Sequence, residues 1–373
     1  MRILILIEWL SNIGGCEKYA ISLTKLLLKK KIDVTLCIAC TEIHEYWLRD
    51  LEINEIPYFT LDLRNDSRLM NKYVKTKILE LSSYIDTNLI NIVHCIPYER
   101  TSFLLSKHYC ELKTNRKTYI IGQEPCYGLS SHNWWYSKKI LKQYINNFDI
   151  IQIHSGVVKE NLQIDFDLQK PIFICPAFSE DIFNNKFSKN QQAKTFRLGF
   201  MGRLHYQKDP KTILRAITLI KENLDFELIF WGDGPLKEDI INSIKKLKLE
   251  EKVFVKGNYP NIDTAMNSFD VLISTSVFEG LGLSILEALG HGKKAILTKE
   301  GALYDSNILP RNTKWIRWFD KGDFYELGNI ILEMSNELNR NYTEEILHVI
   351  ENEFSIDKCF NIHMGLYMSV IKA

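Results

Sequence analysis

The apolar positions of this chain fall in short runs separated by amphipathic stretches, and the alternation begins at once. "RILILI" (2–7) is a continuous apolar run of strand length, the pattern of a strand buried on both faces. After the loop "EWLSNIGG", residues Cys16, Tyr19, Ala20, Leu23, Leu26 and Leu27 share one helical face and predict a helix over about 15–30. Lysines at its end suit the negative pole of the helix dipole, and "DVTLCIA" then reads as a second strand. A strand-helix-strand unit implies a parallel sheet with right-handed crossovers.

Further apolar runs, "INIVHCI" (90–96), "TYIIG" (118–122), "FDIIQIH" (148–154) and "PIFICP" (171–176), predict successive buried strands. The polar stretch "SEDIFNNKFSKNQQAKT" (179–195) has no apolar period and reads as a linker. Beyond it the alternation restarts, with strands expected at 196–202, 226–232, 252–257, 270–275 and 293–298. Helices are expected at 209–223, 235–249, near 261–268 and from Leu283, and a helical tail from about 321. The expectation is two doubly wound Rossmann-like α/β domains facing a cleft, over 1–180 and 181–356. The last helix, about 357–373, packs back on the first, and 373 residues suffice for two cores.

Composition adds mostly exclusions. An apolar fraction of 46% and a charged fraction of 25% describe an ordinary globular protein. A net charge of +1 gives no general attraction to nucleic acid. The opening run is cut by Glu8 with no cleavage site behind it, a poor signal peptide. No stretch reaches the roughly 18 to 20 apolar residues of a membrane span, so a cytoplasmic protein is expected. The eight cysteines follow no disulfide framework, and "CIAC" (37–40) reads as buried strand rather than as a redox pair or half a zinc site.

In open parallel sheets ligands sit beyond the carboxyl ends of the strands, so candidate chemistry belongs in the loops that follow them. In "GFMGRLHYQKD", Gly202 ends a strand and is followed by Arg203 and Lys208, a guanidinium fork and a point charge suited to a diphosphate. "WGDGP" (231–235) is a tight strand-to-helix turn, Gly232 and Gly234 allowing close backbone approach. "VFEGLGLSILEALGHG" (277–292) places Glu279 in a glycine-rich loop before a helix N-terminus, which favours anions, and Glu287 one turn into that helix among leucines. A carboxylate there needs donors, which the hydroxyls of a ribose could supply.

Taken in order, these motifs resemble the retaining glycosyltransferases of family 4 with the GT-B fold. The matching residues are Gly14-Gly15-Cys16-Glu17, Gly202-Arg203-Leu204 with Lys208, Gly232-Asp233-Gly234-Pro235, and Glu279-Gly280-Leu281-Gly282 through Glu287-Ala288-Leu289 to Gly292. The resemblance spans nearly the whole chain and is strongest over about 197–300. It implies that Arg203 and Lys208 bind the donor diphosphate, with Gly15 and Gly202 in the loops beside it. It also implies that Glu279 faces the transferred sugar, that the backbone of Gly282 and Leu283 meets the phosphate, and that Glu287 holds the ribose. Gly14 approaches the acceptor when the cleft closes, and His94, Gln123 and Glu124 are the other acceptor-side or sugar-side candidates. Where relatives often carry a histidine before "EP", this chain has Gln123, which can bond a hydroxyl but cannot titrate.

By this resemblance the reaction transfers a sugar, with retention, from a nucleotide-sugar, UDP- or GDP-linked, to a glycan or lipid-linked acceptor in bacterial surface polysaccharide synthesis. No cofactor and no metal ion are implied. Two alternatives stay open, a nucleotide-sugar epimerase of the same architecture and a silent nucleotide-sugar-binding partner subunit. The stretch "SSHNWWYSKKILKQYINN" (130–147) sets Trp134, Trp135 and Tyr136 beside Lys138, Lys139 and Lys142. That is the make-up of a peripheral membrane contact, and equally of a packed aromatic cluster with a solvated lysine face.

Overall fold

The computed structural model describes residues 1–63, 72–112, 117–124, 138–183, 195–259, 261–305, 308–311, 313–337 and 340–372. The chain divides into two compact units, Met1–Ser179 with Ile356–Ala373, and Glu180–Ser355.

The first unit is built on a parallel sheet of β1 (Arg2–Ile7), β2 (Asp33–Cys40), β3 (Tyr58–Leu63), β4 (Ile92–Cys95), β5 (Tyr119–Glu124), β6 (Ile150–Ile153) and β7 (Ile172–Ile174). Their order is β3-β2-β1-β4-β5-β6-β7. Ile3 on β1 pairs with Val34 on one side and Ile92 on the other. β1 is therefore paired along both edges, and the near-complete burial of β1 and β4 shows them covered on both faces, as their unbroken apolar runs require. Between the strands lie α1 (Gly15–Lys29), α2 (Glu45–Ile53), α3 (Lys72–Thr87), α4 (Arg100–Glu111), α5 (Lys138–Ile145) and α6 (Gly156–Phe166). The apolar stripe of α3, Val74, Ile78, Leu81 and Ile85, joins Phe103, Leu105, Phe148 and Ile151 in one core.

The second unit repeats the design with β8 (Phe196–Met201), β9 (Phe226–Trp231), β10 (Val253–Gly257), β11 (Val271–Ser274), β12 (Lys294–Thr298) and β13 (Ile316–Phe319), all parallel, in the order β10-β9-β8-β11-β12-β13. Its helices are α7 (Pro210–Ile220), α8 (Lys237–Lys246), α9 (Ile262–Met266), α10 (Leu283–Gly290), α11 (Ala302–Asp305), α12 (Phe324–Ser335) and α13 (Thr343–Phe354). Phe200, Phe230, Ile213, Ile217 and Phe319 centre its core.

The last helix, α14 (Ile356–Ile371), belongs to the first unit. Its buried residues Cys359, His363, Leu366, Tyr367 and Val370 form one helical stripe, and the Tyr19 hydroxyl on α1 meets His363 Nε2 at 2.6 Å.

Three features depart from the expectation. Helices α2, α3 and α4 occupy stretches where the apolar runs mark no element: in α2 and α3 the buried apolar residues come singly at helical spacing, and in α4 the short run Phe103, Leu104 and Leu105 is flanked by buried polar residues. Strands β3, "YFTLDL", and β13, "IRWF", lie outside the expected strands as well: half or more of each is exposed or only partly buried. The linker stretch begins with a 3-10 turn, Glu180–Ile182, and its residues 184–194 lie outside the described ones.

Candidate functional site

Each sheet reverses its winding once, between β1 and β4 in the first unit and between β8 and β11 in the second. Loops diverge there at the carboxyl ends of the strands and leave room for a ligand. In the second unit this point gathers most of the motif residues.

β8 ends at Met201, and the next loop is pinned to the turn after β9. The Gly202 amide donates to Trp231 O (3.0 Å), Leu204 to Asp233 O (2.9 Å) and Leu236 to Leu204 O (3.0 Å). Gly232 (φ +138°) lies so close that a Cβ on it would sit 2.0 Å from Gly202 O. The "WGDGP" turn thus forms the backing of the Gly202–Leu204 loop. A 3-10 turn, Tyr206–Lys208, then leads through Asp209 into α7, with Pro210 in its first turn.

The loop after β11 is stitched to this one. Thr275 Oγ1 donates to Lys208 O (2.8 Å) and Asp209 O (2.9 Å), and the Val277 amide donates to Gln207 O (2.8 Å). These bonds hold Lys208 against Glu279. The ammonium of Lys208 pairs with Glu279 Oε2, which also accepts from Ser276 Oγ at 2.9 Å. The two side chains are only 18% and 13% exposed. Three residues beyond Glu279, Gly282 (φ +75°) caps α10 with no side-chain cap of its own, leaving the first amides of the helix without intrahelical partners. Glu287 is 1% exposed on that helix. Arg203 is exposed and forms no ion pair among the described residues. Ser276, Glu279, Gly280, Leu281, Glu300 and Trp318 line a small pocket, and the Ala302 amide closes on Gly280 O at 2.8 Å.

One cation, one carboxylate, a helix N-terminus and an exposed guanidinium within two adjoining loops make a place for a phosphorylated ligand that also carries hydroxyls. Sequence reasoning did not single out Thr275 and Ser276, which hold this geometry. Serine and threonine at strand ends are too common to signal a role.

In the first unit Gly14 caps α1 in an extended conformation, and Gly15 opens the helix. The loop before them is tied down by Trp47 Nε1 to Asn12 O (2.8 Å) and the His44 amide to Leu10 O (2.7 Å). His94 is fully buried, its Nδ1 3.0 Å from Tyr367 Oη and its Nε2 2.6 Å from Gln152 Oε1. Burial pushes its pKa down to about 3. Gln123, 1% exposed, meets His154 Nε2 at 2.7 Å through its amide nitrogen, while its buried Oε1 has no partner among the described residues. Glu124, equally buried, accepts the Tyr98 hydroxyl. All three belong to the first unit.

The motif reading overlooked a polar cluster at the β1/β4 reversal. Arg100 Nε (3.0 Å) and the Thr101 amide (3.0 Å) both donate to the Glu8 carboxylate, and Trp9 Nε1 donates to Glu99 Oε2 at 2.7 Å. Burial, then the charge of Glu8, raises the Glu99 carboxyl to about 7. The available signal was position alone, since Glu8 directly follows β1 and Glu99 ends the short loop between β4 and α4.

Cys37 and Cys40 are buried in β2, and burial raises both thiols, Cys40 to about 12. Among the described residues no group of three or more His, Cys, Asp or Glu side chains could hold a metal ion, and no helix is long and apolar enough to cross a membrane. Trp134, Trp135 and Tyr136 lie outside the described residues.

Residues 181–316 match the family model described as Glycosyl transferases group 1. The amylovoran biosynthesis glycosyltransferase AmsD of Erwinia amylovora is 26% identical over 79% of this chain and 80% of its own. An α-1,4-N-acetyl-D-galactosaminyltransferase of Campylobacter jejuni, named for an undecaprenol-diphosphate-linked substrate, is 22% identical over 74% of each chain. The crystal structure of Alr3699/HepE from Anabaena, in complex with UDP and glucose, superposes with a TM-score of 0.78, at 15% identity over 99% of each chain. The fold is therefore GT-B, and the second unit carries a group 1 glycosyl transferase domain.

Proposed function

We propose that the chain is a retaining glycosyltransferase that moves a sugar from a nucleotide-sugar, UDP- or GDP-linked, to a glycan or lipid-linked acceptor in bacterial surface polysaccharide synthesis. The observation that carries this reading is the meeting of Lys208, Glu279 and the uncapped start of α10 at the winding reversal of the second sheet. Lys208 and Arg203 take the diphosphate, the amides of Gly282 and Leu283 meet its oxygens, Glu279 bonds the transferred sugar and Glu287 holds the ribose. The acceptor hydroxyl attacks the anomeric carbon on the face the diphosphate leaves. The new C–O bond forms as the old one breaks, and a phosphate oxygen takes the proton. The protein's part is then electrostatic, stabilising charge on the leaving diphosphate, and the proposal calls for no metal ion. The names of the Erwinia and Campylobacter relatives support the acceptor class, and the UDP and glucose of the Anabaena complex support the donor class.

The test is a thermal-shift screen against UDP, GDP, ADP and CMP and their common sugar conjugates, because a ligand that binds only the folded state raises Tm. A selective shift, followed by sugar transfer from that donor with retained anomeric configuration, is the expected result. No shift with any nucleotide would reject the reading.

A further inference from the structure

The Lys208–Glu279 pair has a consequence for the order of binding and release, and it rests on the donor reading above. We propose that Glu279 is a built-in competitor for the donor diphosphate. It holds Lys208 while the site carries no sugar, and yields the lysine only to a diphosphate that brings a sugar for the carboxylate to bond.

The geometry sets up this exchange. The ammonium proposed to meet phosphate is already taken by a carboxylate from the neighbouring loop, and both side chains are largely screened from water. A diphosphate that engages Lys208 sets a second anion on the one cation that already pairs with Glu279, and in a place largely screened from water one ammonium does not neutralise both, so Glu279 gives up most of its hold on the lysine. Ser276 Oγ keeps the carboxylate in position with a bond of 2.9 Å that does not involve the lysine. The loop behind it is fixed too: Gly301 packs so close that a Cβ there would sit 2.6 Å from Glu279 O. Glu279 therefore stays aimed at the site after Lys208 departs, and sugar hydroxyls can replace the lost donor. A nucleoside diphosphate without a sugar takes the lysine and offers nothing in return. After transfer the product is that sugarless diphosphate, so the carboxylate reclaims Lys208 and drives the product out.

Calorimetric titration of UDP, GDP, ADP and their glucose conjugates into wild type, Glu279→Gln, Lys208→Met and the double variant tests this, with circular dichroism verifying folding. The glutamine keeps the shape and the hydroxyl-bonding capacity but removes the charge. Glu279→Gln is expected to bind the free diphosphate about fivefold more tightly, the scale of one partly screened ion pair, with a smaller gain or a loss for the sugar conjugate. The gain should vanish in the Lys208→Met background, because coupling through a shared partner is non-additive. An equal gain with and without Lys208 would mean that Glu279 repels phosphate through its field alone, and would overturn the exchange. No gain in Glu279→Gln, with wild type binding normally, overturns the inference and leaves the donor reading standing. A folded wild type that binds none of the nucleotides overturns both.

Discussion

Gly232 carries no chemistry, yet the loop from Gly202 to Leu204 leans on it. At φ +138° only glycine is comfortable, and the Cβ of an alanine would enter the Gly202 carbonyl, which has no room to yield without moving that loop. Gly232→Ala is expected to cost about 3 kcal/mol or more in urea unfolding and to weaken nucleotide binding. Gly257→Ala (φ +74°, nothing within 4 Å of its Cβ) should cost only about 1 kcal/mol, and equal costs would contradict the contact account. Glu287 and Arg203 separate the same way. Arg203 is exposed, so Arg203→Ala should leave stability within about 0.5 kcal/mol while turnover falls. Glu287 is buried beside Leu286 and Leu289, and Glu287→Ala should chiefly weaken donor binding. Unchanged donor affinity in a folded Glu287→Ala protein would remove the ribose role. Lys208 and Glu279 were legible in the sequence because each sits at a fixed distance from a strand end and a glycine turn. The buried hydrogen-bond partners of His94, Gln123 and Glu124 were not, because a strand's alternation tells which face a residue takes but not what covers it.

Strands were easier to read than helices for a related reason. A buried parallel strand leaves a continuous apolar run, whereas α3 leaves mostly isolated apolar residues amid lysine, serine and glutamate, and the buried face of α4 mixes Phe103, Leu104 and Leu105 with arginine, threonine and serine. The C-terminal helix was expected to pack back on the first unit, but beside its apolar stripe it makes polar contacts there that no hydrophobic pattern records. His363 Nδ1 faces Cys359 O at 2.7 Å and must carry the proton, so Nε2 accepts from the Tyr19 hydroxyl at 2.6 Å. Tyr19 Oη in turn accepts from Gln152 Nε2 (2.8 Å), Gln152 Oε1 from His94 Nε2 (2.6 Å), and His94 Nδ1 from the Tyr367 hydroxyl (3.0 Å). Donation runs one way from Tyr367, on α14, back to His363 on the same helix, through β4, β6 and α1. His363→Ala leaves the buried Tyr19 hydroxyl without its acceptor and opens a void, a loss of about 2 to 4 kcal/mol by urea unfolding. Met368→Ala on the exposed face of α14 is the control, expected near zero.

At the scale of the molecule the buried histidines make the two units respond differently to acid. Burial lowers His94 to about 3 and His154 and His363 to about 4, from an ordinary 6.5, and all three are in the first unit. The fold favours the neutral imidazoles, so below pH 6.5 the unfolded chain binds more protons than the folded one. Their stabilisation is complete above about 6.5 and drains away as pH falls toward 4 and then 3, at up to about 1.4 kcal/mol per pH unit for each proton. Glu99, raised to about 7 from 4.5, acts in reverse: its contribution is full below 4.5 and lost as pH rises through 7. One carboxyl offsets only part of three histidines, so the first unit should be most stable from about pH 7 upward and weaken steeply below about 6.5. In the second unit burial also lowers His205, but that ring is partly exposed and water discounts the effect. Hydrogen exchange measured between pH 7 and 5, corrected for intrinsic rates, should therefore lose protection in β4, β5, β6 and α14 while β8, β9 and β11 hold theirs. If the strands of the second unit open first, or both sets open together, the buried neutral histidines are not what ties α14 to its sheet.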